Sequence, residues 1–140
     1  MSRYVLDSFA LIAYNEGERS AETVREILHK AIDGKADLFM SVINWGEVYY
    51  ITMRDGGEMV AEETLRTLRE YPITLVAATE DSALRAATYK ATNKMSYADA
   101  FAAALAYDLK AELVTGDSEF KPLEGIIKIK WLKNNKKSPL

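Results

Sequence analysis

The 140-residue sequence contains no cysteine and a single histidine, His29. The lack of cysteine excludes a disulfide scaffold, a thiol nucleophile and a thiolate metal site, and it fits a reducing compartment. With one histidine there is no multi-histidine site in a single chain, so a metal ion would have to be bound by oxygen ligands. Glycine-rich turns of the G-x-G-x-x-G and G-x-x-x-x-G-K types are also lacking, which argues against the common nucleotide-binding modules.

Long apolar runs are lacking as well. No stretch approaches the roughly 20 apolar residues of a membrane-spanning helix, and the first apolar run is interrupted at Asp7 without a small-residue cleavage site behind it. We therefore predict a cytoplasmic protein with no membrane partner. The net charge of -3 argues against a broadly basic nucleic-acid binder but leaves room for a local basic rim. Candidates for such a rim are Lys94, Arg85, Arg54 and Lys121, although scattered basic residues usually form solvated surface.

The composition is that of one folded domain. Hydrophobic residues make up 49% of the chain and charged residues 28%, which is typical of a soluble globular protein. A chain of this length can bury most of its apolar surface without disulfides. We predict one domain over residues 1–132 and a basic, flexible tail over residues 133–140.

Short apolar runs alternate with amphipathic stretches along the chain. The runs rich in β-branched and aromatic residues predict strands at 3–7, 37–42, 73–78, 112–115 and 126–131. The stretches with apolar residues every three or four positions predict helices at 8–14, 19–33, 43–54, 58–71 and 80–92, and an alanine-rich helix that follows Ser96. Strands separated by helices predict a three-layer α/β/α fold with a central parallel sheet of four to five strands and right-handed crossovers.

Capping residues and glycines define the predicted helix ends. Ser8, Thr79 and Ser96 are the predicted N-caps of three helices, and either Ser41 or Asn44 caps the helix that starts at residue 43. Two helices stand between the second and third strands, so we predict a helical hairpin over 43–71 that projects from the sheet. The last strand alternates apolar residues with lysines, which predicts an edge strand.

Four acidic residues occupy comparable positions in this pattern. Asp7 ends the first strand, Glu47 lies in the helix after the second strand, Asp99 begins the helix before the fourth strand, and Asp117 follows the fourth strand. In a parallel sheet these positions belong to the carboxyl edge, where ligands bind. Carboxylates gathered there repel one another by about 1 to 4 kcal/mol per close pair. A divalent cation would relieve this repulsion.

Oxygen ligands alone favour Mg²⁺ or Mn²⁺ over zinc. Two such ions could stabilise both the attacking and the leaving oxygen of a phosphodiester displacement. Ser8 and Thr115 offer hydroxyl groups beside the acids, and Asn44 lies one helical turn before Glu47. We predict that these three residues support the acids, either by holding a metal-bound water or by orienting a carboxylate.

The segments around the four acids resemble those of the PIN-domain ribonucleases, in particular the VapC-type toxins of prokaryotic toxin-antitoxin pairs. The similar segments are YVLDS, NWGEV, SYADAFAAALA and LVTGDSEF, and their order spans nearly the whole chain. The resemblance implies that Asp7, Glu47, Asp99 and Asp117 are metal-binding catalytic acids, with Ser8 and Thr115 in support. It also implies Mg²⁺- or Mn²⁺-dependent cleavage of single-stranded or loop RNA, a homodimer, and inhibition by a small cognate antitoxin.

Structural explanations stand beside these functional ones. Ser96 and Asp99 have the spacing of a capping box, and Asp7 and Asp117 are residue types common in turns after strands. Glu47 is harder to explain in this way, because it lies in a helix too apolar for a simple surface element. An alternative function is a catalytically weak PIN-like module that binds RNA or protein.

The aromatic residues near Glu47 belong to core or to an interface more often than to a base-stacking platform. Trp45, Tyr49, Tyr50 and Met53 share this helix, and we predict that they form a dimer surface. A phosphatase of the haloacid dehalogenase type would need an aspartate two residues after Asp7, where Phe9 stands. The sequence therefore favours a nuclease over a phosphatase.

Overall fold

A computed structural model describes residues 1–133. Its five strands are β1 (Ser2–Leu6), β2 (Ala36–Ser41), β3 (Ile73–Val76), β4 (Glu112–Thr115) and β5 (Ile129–Trp131). Its α-helices are α1 (Ser8–Asn15), α2 (Ala21–Ile32), α3 (Val42–Gly56), α4 (Glu58–Leu68), α5 (Glu80–Thr92) and α6 (Tyr97–Leu109), and a 3-10 helix spans Ser118–Leu123. Within these residues, none of the helices combines the length and the apolar character needed to cross a bilayer.

The strands form one parallel sheet in the order β3-β2-β1-β4-β5. From β1 the chain moves outward to β2 and β3, and it then returns past them to add β4 and β5 on the other side of β1. The direction of travel thus reverses between β1 and β4, and Val5 of β1 pairs with both Phe39 and Leu113. A reversal of this kind opens a crevice at the carboxyl ends of the two central strands, where ligands of open α/β sheets bind.

The same reversal places helices on both faces of the sheet. The connections from β1 to β3 run along the sheet in one direction, and the connections from β3 to β5 run in the other. Because both sets of crossovers are right-handed, their helices lie on opposite faces of the sheet. Helices α1 to α4 accordingly contribute to a core cluster on one face, and α5, α6 and the 3-10 helix contribute to a cluster on the other. The predicted three-layer α/β/α fold is confirmed.

Strand side chains alternate between the two core clusters. Leu6 and Val114 belong to the cluster under α1 to α4, whereas Val5 and Leu113 belong to the cluster under α6. This period of two is expected where both faces of a parallel sheet are buried. Five alanines of α6 are buried, and their small side chains let this helix pack against β1, β2 and β4. These alanines are residues 100, 102, 103, 104 and 106.

Several predicted boundaries were too long. α4 ends at Leu68 rather than at 71, because residues 69–71 form turns ahead of Pro72, which disfavours helical backbone in the residue before it. β3 ends at Val76 rather than at 78. β5 is restricted to Ile129–Trp131 at the sheet edge, since the preceding segment is occupied by the 3-10 helix and a turn.

The hairpin of α3 and α4 turns at Gly57, whose φ of 93° lies in the region that favours glycine. α4 packs chiefly against α3, and α3 also contacts α1, α6 and the strands β2 and β3. The predicted single domain over 1–132 remains a prediction. Of the predicted tail, residues 134–140 lie outside the described residues.

Candidate functional site

The acidic residues lie at the carboxyl edge of the sheet, beside the point where the strand order reverses. Asp7 directly follows β1, and Asp117 lies two residues beyond the end of β4, the neighbouring strand. Glu47 lies in the second turn of α3, and Asp99 in the first turn of α6. Four positions far apart in sequence are therefore brought to one end of the molecule by the topology.

Asp7 is the N-cap of α1, where the sequence suggested Ser8. Its backbone is extended, with φ -92° and ψ 179°, and its Oδ1 accepts a hydrogen bond of 2.9 Å from the amide of Ala10. Ser8 has already entered the helix, so its hydroxyl cannot fill the capping position. The predicted cap at Ser8 is therefore wrong. The Asp7 carboxyl is 1% exposed, so its cap bond is made in the interior.

Burial also controls the ionisation of Asp7. Loss of solvation raises the pKa of Asp7 to about 7. Hydrogen bonds from the Thr115 hydroxyl and the Ala10 amide oppose this rise, and the negative charges of Asp117 and Glu47 add to it. A cation brought near Asp7 would therefore favour its ionised form.

Ser8 and Asn44 both hold the carboxylate of Glu47. The Ser8 hydroxyl donates to Glu47 Oε1 at 2.9 Å, and Asn44 Nδ2 donates to the same oxygen at 3.1 Å. Asn44 is fully buried and donates a second bond of 3.1 Å to the carbonyl oxygen of Ala98, which ties α3 to the start of α6. These contacts fix the direction in which the Glu47 carboxylate points.

Ser96 caps α6, and Asp99 is used differently. The Ser96 hydroxyl accepts a bond of 3.0 Å from the amide of Asp99, while the Asp99 carboxyl interacts with that of Asp117. Burial raises the pKa of Asp99 to about 8, and the negative charges of Asp117 and Asp7 contribute to the rise. The two carboxyl groups have oxygen atoms within 4.8 Å of each other, so the Asp99 carboxyl keeps its proton to a higher pH when no cation is bound.

Thr115 and Asp117 shape the loop that follows β4. The Thr115 hydroxyl accepts a bond of 3.0 Å from the amide of Asp117, and Asp117 Oδ1 accepts a bond of 2.9 Å from the amide of Glu119. Asp117 thereby caps the 3-10 helix. Gly116 between them packs against the ring of Phe9, and a Cβ at this position would approach the ring Cζ to 2.7 Å.

The turn after Asp117 brings in Glu119, a fifth acid that the sequence analysis missed. Carboxylate oxygens of Asp99, Asp117 and Glu119 lie within 4.8 Å of one another. Asp7 and Glu47 are outside this trio, although their charges act on Asp99. Glu119 lies only two residues after Asp117, but its approach to Asp99 depends on the 3-10 helix that Asp117 caps, which no helix or strand pattern in the sequence indicates.

The three acids of the trio line a cleft with a volume of about 520 Å³. Ser8, Glu47, Asp99, Asp117 and Glu119 are among the residues that line it. The other three predicted site residues are buried beside the cleft, with exposures of 1% or less, namely Asp7, Asn44 and Thr115. The structure thus gathers all seven predicted residues around one end of the sheet, and it adds Glu119.

Replacing Asp7 by asparagine and by alanine should separate its cap from its charge. Asparagine keeps an oxygen that can accept the Ala10 amide, so we expect the metal-free Asp7→Asn variant to be at least as stable as the wild type at pH 8. Asp7→Ala loses the cap and should be about 1 kcal/mol less stable than Asp7→Asn. Urea unfolding of the three proteins measures this order, and equal stability of the two variants would contradict the capping role.

Comparison with known protein families identifies the family of this chain. The PIN domain model matches residues 4–125, which include every acid described above. The chain belongs to the PIN domain family. This match confirms the family predicted from the segments around the four acids. Membership of this family supports a nuclease activity.

Solved structures of VapBC and VapC proteins share this fold. VapBC2 from Rickettsia felis, bound to a DNA fragment of its promoter, is 16% identical with a TM-score of 0.74, and the match covers 94% of this chain and 99% of that one. VapBC-1 from nontypeable Haemophilus influenzae is 21% identical with a TM-score of 0.67, covering 92% and 97%.

VapC20 from Mycobacterium tuberculosis, described as a toxin that cleaves the sarcin-ricin loop, is 18% identical with a TM-score of 0.68, covering 91% of this chain and 98% of that one. At such identities these structures establish a common fold. No curated protein matches the chain in sequence.

Proposed function

We propose that this PIN-domain protein is a metal-dependent endoribonuclease that hydrolyses RNA phosphodiester bonds, and that it is the toxin of a toxin-antitoxin pair. The observation that carries the proposal is the convergence of Asp99, Asp117 and Glu119 in one cleft, with Asp7 and Glu47 acting on it. Nothing in the packing of an α/β domain requires five acids at one place. A site for a divalent cation explains why they gather.

The residues present fit a hard divalent ion. The trio offers carboxylate oxygens only, which suits Mg²⁺ or Mn²⁺. Burial, with a smaller contribution from the neighbouring carboxylates, raises the pKa values of Asp7 and Asp99 so that both keep a proton near neutral pH, and a bound cation would release these protons. When bound, the ion would supply positive charge that stabilises the phosphate in the transition state and activates the attacking water.

We assign the following roles to the residues. Asp99, Asp117 and Glu119 hold the ion, and Asp7 and Glu47 complete the negative site. Ser8 and Asn44 orient the Glu47 carboxylate through the two bonds to its Oε1. The Thr115 hydroxyl holds the Asp117 loop and hydrogen-bonds Asp7, so it links the ends of β1 and β4.

The proposed partners extend this assignment. Structures similar to this chain include VapBC proteins, one of them bound to a promoter DNA fragment, and we propose that a small antitoxin inhibits this chain. We also propose a homodimer, to which the half-exposed Tyr50 of α3 would contribute together with Trp45 and Tyr49. Single-stranded or loop RNA in the cytoplasm is the proposed substrate.

The test is cleavage of defined RNA by the purified full chain. Short single-stranded and stem-loop RNAs are incubated with Mn²⁺, with Mg²⁺, and with a chelator in excess, and products are resolved by gel. We expect internal cleavage with either ion and none with the chelator. RNA binding without cleavage under all conditions would instead favour the catalytically weak module.

A further inference from the structure

Nearly all of the charged side chains from residues 1–133 that line the cleft are negative. Besides Glu47 and the trio, its lining includes Glu16, Glu18 and Asp55. Burial and the neighbouring Glu18 raise the pKa of Glu16, which shows how crowded this end of the cleft is. An RNA strand carries a phosphate on every nucleotide, so phosphates next to the cleaved one would meet acids there.

The described part of the chain contributes a single positively charged side chain to this cleft. Among residues 1–133, Arg54 is the only lysine or arginine that lines it. We propose that Arg54 is a substrate-binding residue that contacts an RNA phosphate next to the scissile one, an assignment that rests on the proposed ribonuclease function. An arginine suits this task because its planar guanidinium donates several hydrogen bonds to phosphate oxygens.

The position of Arg54 on α3 supports the assignment. Glu47, Ile51 and Arg54 follow one another at spacings of four and three residues, so they share a face of the helix, and all three line the cleft. Seven residues of helix advance about 10 Å. Arg54 therefore stands apart from the metal-binding acids, further along the same groove, where a neighbouring phosphate would lie.

Arg54 is held only weakly in the free chain. Its Nε contacts Oδ1 of the adjacent Asp55 at 3.2 Å, and the two side chains are 66% and 57% exposed. Exposed ion pairs of this kind contribute little to stability, because solvent screens their charges. A phosphate can therefore replace Asp55 as the partner at little cost.

Another basic candidate from the sequence analysis has a structural role elsewhere. Arg85 pairs with Asp108 at 2.9 Å and lies 4.3 Å from the ring centre of Tyr107, on the helices α5 and α6. This pairing explains Arg85 without RNA. Arg54 has no comparable partner beyond the exposed contact with Asp55 among the contacts described for residues 1–133.

The test compares Arg54→Ala and Arg54→Lys with the wild type in two assays. Steady-state cleavage of a short RNA with Mn²⁺ gives kcat and KM, and RNA affinity is measured by fluorescence anisotropy at several salt concentrations. For the affinity assay each change is placed in an Asp99→Asn background, in which we expect cleavage to be at least about a hundredfold slower. Arg25→Ala is the matched control, because Arg25 forms a similarly exposed ion pair, with Glu22, away from the cleft.

We expect Arg54→Ala to raise KM about tenfold, equivalent to one lost charge-assisted contact, with little change in kcat. The slope of log affinity against log salt should become less negative by about 0.7. Arg54→Lys should recover much of both effects, and Arg25→Ala should change neither. Recovery by lysine would exclude a loss due only to altered folding.

Two results contradict the inference in distinguishable ways. If the wild type cleaves RNA but Arg54→Ala keeps its KM and salt slope, Arg54 does not contact the substrate while the proposed function stands. If the wild type neither cleaves nor binds RNA under any metal condition, the proposed function fails and the role of Arg54 falls with it.

Discussion

Replacing Asp99 by asparagine is expected to reduce RNA cleavage by at least about a hundredfold, because the substitution removes a charged ligand from the proposed metal site of Asp99, Asp117 and Glu119. Asparagine has almost the same shape, and Ser96 caps α6 through the backbone amide of residue 99, so the helix keeps its cap. The loss should therefore appear in kcat with the fold intact. Cleavage rates measured at saturating Mn²⁺, together with circular dichroism, test this expectation.

A remote acid provides the control for this substitution. Asp37 lies on β2 and is exposed, outside the residues that line the cleft. Asp37→Asn makes the same chemical change and should leave cleavage within about twofold of the wild type. Undiminished cleavage by Asp99→Asn would refute the catalytic assignment of the trio, since a carboxylate that can be neutralised without effect does not hold the essential ion.

The stability of the metal-free chain is expected to fall as the pH rises from about 5 to 8. The pKa of Asp99 is about 8 in the folded chain against an ordinary value of 3.8. Between these values the folded chain keeps a proton that the unfolded chain has released, so the folded state is progressively disfavoured as pH rises. The loss attributable to Asp99 is roughly 3 kcal/mol over this range.

The Asp99→Asn substitution should abolish most of the loss of stability attributed to Asp99. Saturating Mn²⁺ should have the same effect on the wild type. The variant cannot ionise at this position, so its stability should fall less with pH, and the remaining slope reflects Asp7, whose pKa is about 7. Saturating Mn²⁺ should raise the unfolding temperature of the wild type at pH 8 by about 5–10 °C and by much less at pH 5, where protons compete. Removal of the ion with a chelator should restore the metal-free value.

Thermal unfolding at both pH values, with and without Mn²⁺, measures these differences. Asp37→Asn should follow the wild type in every condition. A wild-type profile that is flat from pH 5 to 8, or an equal gain from Mn²⁺ at both pH values, would contradict the account in which burial and neighbouring carboxylates keep protons on Asp7 and Asp99.

The sequence predicted the layers of the fold and the meeting of the acids because both depend on local patterns. Apolar runs followed by Asp7 and Asp117 identify strand ends, and parallel strands bring their ends to one edge. The order of the strands could not be predicted from local patterns, because it depends on the packing of β1 between β2 and β4. That order is what places Asp7 and Asp117 on neighbouring strands.

The errors in the site arise from backbone geometry. Asp7 and Ser8 are both common capping residues, and only the extended backbone of Asp7 decides between them. Glu119 was missed because its approach to Asp99 depends on the 3-10 turn capped by Asp117. Helix periodicity does not reveal such a turn.

The central claim is that these acids form one site for a divalent ion, and a crystal structure grown with Mn²⁺ at pH 8 tests it most directly. Anomalous scattering should place a Mn²⁺ ion in contact with the carboxylates of Asp99 and Asp117, with Glu119 beside them. A cleft without an anomalous peak at saturating Mn²⁺, or Asp99 and Asp117 turned away from each other, would contradict it.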